Sequence, residues 1–193
     1  VLLGPEMRST GEVMSFETNF PAAFAKAQIA AGNPLPTEGA ALISLADPDK
    51  REGTALAAQL SDLGFDLFAT TGTAAALGAM GIPVQEVAKV GEGRPDCVDV
   101  IAQGKINLVV NTPSAFHDSE SEGADPPVPE TAQTRGVSLP WNEPRTAGYR
   151  IRTAALRHHI PYITTLVALR ISVAAIRHLD SDALSVHKLG EVA

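Results

Sequence analysis

The chain has 193 residues, of which 45% are hydrophobic, 19% charged and 5% aromatic, and it carries a net charge of −7. This is the composition of an ordinary soluble globular protein, with length for one sizeable core or for one domain and part of another. The acidic balance argues against a protein that coats nucleic acid, but not against one small anion in a cleft, where local lysines and helix N-termini set the field.

No apolar run is long enough to span a bilayer, and no signal segment opens the chain. The single cysteine, Cys97, rules out an internal disulfide and fits a reducing compartment. Leu2 to Ser15 has no helical or strand period and reads as a polar loop. Phe20 to Ala31 reads as an alanine-rich helix, capped by Thr18 or Asn19, with Pro21 in its first turn and Gly32 as its stop. Asn33 to Gly39 is rich in turn residues and reads as a linker.

From Ala40 the pattern alternates. Ala40 to Leu45 is a buried strand, and Lys50 to Asp62 a helix capped by Asp47 or Asp49, with Leu56, Leu60 and Leu63 on one face. Gly64 ends it. Phe65 to Ala69 is a second strand, Ala74 to Met80 a short helix, and Ile82 to Val87 a poorer third strand whose Pro83 suits a start or an edge. Lys89 to Arg94 is a glycine-rich loop, and Pro95 opens a helix that Gly104 closes. Ile106 to Val110 is the most apolar strand, ending in Asn111, Thr112 and Pro113. Residues 115–146 are rich in Asp, Glu, Ser, Pro and Gly and read as a mobile insertion, anchored at most through Leu139, Pro140 and Trp141. A helix from Tyr149 to His158 turns Ile151, Ala155 and Leu156 inward. Ile160 to Thr164 is a fifth strand, Leu166 to Leu179 an apolar helix with Ile171, Val173 and Ile176, and the rest a tail.

This alternation predicts a doubly wound, mainly parallel five-stranded α/β sheet flanked by helices, with right-handed crossovers. Ligands in such sheets sit at the carboxyl ends of the strands. In order, those ends carry Lys50; Thr70 and Thr73; Lys89; Asn111 and Thr112; and Thr164 and Thr165. They offer cations, hydroxyls and an amide, and no nucleophile–base pair. Ammonium groups and hydroxyls suit a phosphate, and an amide suits a sugar or base attached to it. Ala69-Thr70-Thr71-Gly72-Thr73 is central, because a strand that turns through small hydroxyl residues and a glycine into a helix has the layout of an anion cradle. The same threonines also serve as simple helix caps.

Leu3-Gly4-Pro5-Glu6-Met7-Arg8-Ser9-Thr10-Gly11-Glu12-Val13-Met14 resembles the end of the second ATP-grasp half of the carbamoyl phosphate synthetase large chain. Phe24-Ala25-Lys26-Ala27, Asp49-Lys50, Gly64-Phe65, Ala69 to Ala74, Lys89 to Pro95 and Asn111-Thr112 are similar to that enzyme's carboxyl-terminal regulatory domain, which has the methylglyoxal-synthase-like (MGS-like), Rossmann-like three-layer fold. The resemblance implies a stub over residues 1–38, an MGS-like domain over 39–179 with the insertion inside it, and a tail over 180–193. It implies a cytoplasmic parent that makes carbamoyl phosphate for pyrimidine and arginine biosynthesis, from bicarbonate, ATP and ammonia delivered by a glutaminase small subunit. The resemblance assigns ATP, Mg or Mn, and K to that parent, and implies no cofactor, metal or catalytic residue within this stretch.

Its implied ligands are UMP as inhibitor and IMP as activator, at overlapping positions formed by Lys50, Thr70, Thr73, Lys89, Asn111 and Thr112. Pro113 stands where the family often has another threonine. Tyr162 and Thr164 match positions that help bind the activator ornithine. Ala147 and Thr153 replace an acid and an arginine of the family's usual helix start. The implied partners are the nucleotides, the rest of the large chain and, through it, the glutaminase subunit. Nucleic acid and membrane are not among them, and self-association is left open.

The enzyme alternative is a methylglyoxal synthase-type, phosphate-eliminating lyase. It needs a carboxylate base beside the cradle, for which Glu92 is the candidate. The transformylase/cyclohydrolase of purine synthesis shares the fold but differs in the same loop. His158 and His159 read as an exposed pair at a helix end, Asp96 and Asp99 as partners of a helix dipole, and Cys97 as a packed thiol. Asp118, Glu120, Glu122 and Asp125 read as a solvated run.

Overall fold

A computed structural model describes residues 13–113, 147–181 and 184. Its elements are α1 (Phe20–Ala30), β1 (Ala40–Ser44), a 3-10 turn (Asp47–Asp49), α2 (Lys50–Asp62), β2 (Asp66–Thr70), α3 (Thr71–Ala79) and β3 (Gln85–Val87). They continue with α4 (Cys97–Ala102), β4 (Leu108–Asn111), α5 (Ala147–Arg157), β5 (Tyr162–Ile163) and α6 (Leu166–Ser181).

The strands form one five-stranded sheet in the order β3-β2-β1-β4-β5, parallel throughout. The chain winds outward from β1 through β2 to β3, then returns to the other side of β1 for β4 and β5. This is the expected doubly wound architecture. The order reverses between β1 and β4, which opens a crevice at their carboxyl ends.

Each central strand buries both of its faces, which is why β1, β2 and β4 read as nearly unbroken apolar runs. Ala41, Ile43, Leu67, Ala69, Leu108 and Val110 face one layer of helices and pack with Ala25 of α1, Leu60 of α2, Leu77 of α3 and Val173 and Ile176 of α6. Leu42, Phe68 and Val109 face the other layer and pack with Val100 and Ile101 of α4 and Ile151 and Ala155 of α5. Because side chains alternate along a strand, Ser44 and Asn111, two residues beyond Leu42 and Val109, project on the α4/α5 side. The alanine-rich α1 packs along α6, and Asn19 caps it by accepting from the Ala22 amide at 2.9 Å.

Several boundaries differ from the sequence expectations. Helix α3 begins at Thr71 rather than Ala74, because Gly72 and the threonines are accommodated in its first turn. Pro95 lies outside α4, which starts at Cys97 under an Asp96 cap. Asp96 accepts from the amides of Val98 and Asp99 while Asp99 accepts from the Asp96 amide, a reciprocal capping box. Helix α5 starts at Ala147, and its Leu156 is 58% exposed rather than turned inward, because the layer beneath that end is filled by Ala154 and Ala155. The polar opening up to residue 12, the stretch 115–146 with its Leu139–Trp141 anchor, and nearly all of the tail lie outside the described residues. No helix among the described residues is long and apolar enough to cross a membrane.

Candidate functional site

The carboxyl ends of β2, β1 and β4 close the sheet with a polar row. Ser44 pairs in register with Asn111, and the preceding Ile43 with Ala69, which brings Thr70 to the other side of Ser44. The Thr70 hydroxyl lies 3.5 Å from the Ser44 hydroxyl and 3.4 Å from that of Thr73. Thr70, Thr73, Asn111 and Thr112 are buried, while Ser44 stays half-exposed at the centre.

Two of these side chains hold the loop that leaves β1. Thr73 Oγ1 accepts from the Leu45 amide at 3.1 Å, and Thr112 Oγ1 accepts from the Ala46 amide at 2.9 Å. The Thr112 amide in turn donates to the Ser44 carbonyl at 3.0 Å. The loop is therefore fastened on both sides, by the first turn of α3 and by the end of β4. A hydroxyl that accepts a backbone N–H keeps its own proton for donation, so each threonine can both fix the loop and donate to a ligand.

Lys50 opens α2 and folds back over the first turn of α3. A Cβ added to Gly72 would lie 2.9 Å from Lys50 Nζ and 3.7 Å from Cε. The first-turn amides of α3, which have no acceptor within the helix, already give this helix end a partial positive charge. An ammonium beside it adds charge of the same sign, offset on one side by Asp47, whose Oδ1 is 2.6 Å from Nζ and which is largely exposed. An anion at this point would meet the ammonium, the amides and the threonine hydroxyls together.

Lys89 lies apart, exposed in the loop after β3. Among the described residues its ammonium is hydrogen-bonded to none of the other five predicted positions. Its charge acts on the buried Cys97 thiol, which also donates to the Ala88 carbonyl at 3.3 Å. Burial, and then the neighbouring Asp96 carboxylate, push that thiol up from an ordinary 9.0 to about 12, so Cys97 packs rather than reacts. Arg94 pairs with Asp99 at 2.6 Å. Glu92 is exposed and lines an open cleft with Thr71, Glu86, Ala88, Arg94 and Pro95.

At the opposite edge of the sheet, Tyr162 and Thr164 line a separate cleft of about 370 Å³ with Phe24 and Gln28 of α1 and Leu156 of α5. His158 and His159 are both exposed at the end of α5, His159 in a left-handed turn with φ 55°.

Residues 52–141 match the family model described as the MGS-like domain. The chain carries an MGS-like domain. The carbamoyl phosphate synthase large chain of Thermotoga neapolitana is 53% identical over 193 residues, covering 98% of this chain and 16% of its own length. A protein of Methanopyrus kandleri named as the C-terminal section of that large chain is 42% identical over 191 residues, covering 99% of this chain and 31% of its own length. The large chain of Rubrobacter xylanophilus is 38% identical, covering 99% of this chain. The chain thus spans only 16% of the length of these whole large chains.

Five of the six predicted nucleotide positions converge on the β2-β1-β4 edge, and Lys89 stands beyond them. Two residues of the same edge escaped the sequence reading. Ser44 looks like the end of an apolar strand, and only the alternation with Leu42 points it to the polar row. Arg152 of α5 donates from Nη1 to Asn111 Oδ1 at 3.1 Å, a contact across 41 residues that no local pattern encodes.

Proposed function

We propose that this MGS-like domain is the effector-binding regulatory part of a carbamoyl phosphate synthase large chain, and that its ligands are nucleoside monophosphates. Lys50 held over the first turn of α3 carries this reading, since two positive features side by side favour a bound anion. The phosphate rests on Lys50, the α3 amides and the hydroxyls of Thr70, Thr73 and Thr112; the polar row through Ser44 to Asn111 takes the nucleoside. Lys89 closes from the neighbouring loop. UMP acts as inhibitor and IMP as activator of a parent that makes carbamoyl phosphate with ATP, Mg or Mn, and K, in the cytoplasm, with ammonia from a glutaminase small subunit. Ornithine is read at the Tyr162 and Thr164 cleft, which α1 completes.

The carboxylates of the loop after β3 and the start of α4, where a lyase base was expected, favour regulation over a lyase. Asp96 is taken up in capping α4, Asp99 pairs with Arg94 and the Asp96 amide, and Glu92 is exposed on the outer loop. None of the three is a buried base facing Thr73.

Calorimetric titration with UMP, IMP and inorganic phosphate tests the proposal. Lys50→Ala is expected to weaken nucleotide binding by about 1.5–3 kcal/mol, the loss of a charge-assisted hydrogen bond. Unaltered affinity would move the phosphate elsewhere. Turnover of dihydroxyacetone phosphate on the same sample would favour the lyase.

A further inference from the structure

Arg152 and Asn111 make a unit distinct from the phosphate cradle. A guanidinium has donors and no acceptor, so the carboxamide it contacts must turn its oxygen toward it. With Oδ1 held at 3.1 Å from Arg152 Nη1, both Nδ2 protons of Asn111 are directed away from the guanidinium. Without that partner, a half-turn of the carboxamide would present an acceptor where it now presents donors.

The arrangement has room because of Gly148, one turn before Arg152 on α5. A Cβ at Gly148 would lie 3.0 Å from both Asn111 Oδ1 and Arg152 Nη1. Asn111 is 5% exposed, at the end of the polar row it shares with Ser44. A buried amide with a fixed sense of donation discriminates between ligands, because a mismatched group would leave a polar atom unpaired.

We propose that Arg152 is a positioning residue that locks Asn111 as a donor, so that the site selects ligands with a hydrogen-bond acceptor beyond the phosphate, on the sugar or the base. This rests on the cradle being a nucleotide site. Arg152 acts through Asn111, not on the phosphate.

The test compares UMP, ribose 5-phosphate and inorganic phosphate as titrants of the full chain and of Arg152→Met, Asn111→Asp and Gly148→Ala. Arg152→Met and Asn111→Asp are expected to lose about tenfold in UMP affinity while phosphate binding stays within about threefold. A matching loss with ribose 5-phosphate assigns the acceptor to the sugar, and a loss confined to UMP assigns it to the base. Gly148→Ala keeps both groups but crowds them, and is expected to give the same split in smaller measure, which keeps the test open if Arg152→Met fails to fold. Equal losses for UMP and phosphate in Arg152→Met would make the guanidinium an anion ligand and overturn the proposal, as would unchanged UMP binding. Wild-type binding of phosphate without preference for UMP would overturn it while sparing the cradle; binding of neither would remove the nucleotide reading itself.

Discussion

Gly72→Ala should separate stability from anion binding. Gly72 sits in the first turn of α3, where alanine is the better helix former by about 0.5–1 kcal/mol. Among the described residues outside its own helix turn, an added Cβ at Gly72 would reach only the Lys50 side chain, at 2.9 Å from Nζ and 3.7 Å from Cε. That neighbour is the far end of a flexible chain, so it can swing aside at little cost to the fold. The variant is therefore expected to be as stable as the parent or more so, with a midpoint raised by up to about 4 °C for a chain of this size. Its phosphate affinity should nevertheless fall, because the ammonium leaves its place and a methyl group shields the Gly72 amide. Losing one charge-assisted hydrogen bond costs about 1.5–3 kcal/mol, on the order of ten- to hundredfold in affinity. Thermal melting and phosphate titration of the same preparation measure both. Lowered stability, or full phosphate affinity in a variant that melts normally, would refute the geometry argued for Lys50 and α3.

Two further outcomes concern the polar row and the buried Cys97 of α4. Thr73→Val and Thr112→Val remove the acceptors of the Leu45 and Ala46 amides, and each should cost about 1–3 kcal/mol in urea unfolding as well as weakening phosphate binding; wild-type stability would mean the β1 loop does not need them. For Cys97, burial and Asp96 raise the folded-state pKa to about 12 from 9.0. The buried neutral thiol then contributes stability that is fully present below pH 9 and is lost as pH rises toward 12. Cys97→Ala should flatten that alkaline decline in urea unfolding, and an identical slope in the variant would contradict the assignment.

The sheet was legible because β1, β2 and β4 are buried on both faces, and unbroken runs such as Ala40 to Ile43 and Leu108 to Val110 leave little else to be. The crevice followed from topology, since any ligand-binding group had to come just after a strand. Legibility failed where one residue type suits two structures. Thr71, Gly72 and Thr73 look like a turn but form the first turn of α3. Ser44 looks like core until its alternation with Leu42 is followed to the strand end. Leu156 fits an apolar stripe, yet the end of α5 overhangs the cleft of Tyr162. Lys89 follows β3 as Lys50 follows β1, but β3 is an edge strand and its loop lies beyond the polar row. Arg152 was out of reach, because nothing within its own helix indicates that it meets Asn111 at the end of β4.

The measurement that bears most directly on the central claim is an amide-resolved NMR titration of the chain with UMP. The largest shifts are expected at Thr71, Gly72 and Thr73, at Leu45 and Ala46, and at Asn111 and Thr112. Shifts gathered instead around Tyr162 and Thr164, with the α3 amides unmoved, would contradict it.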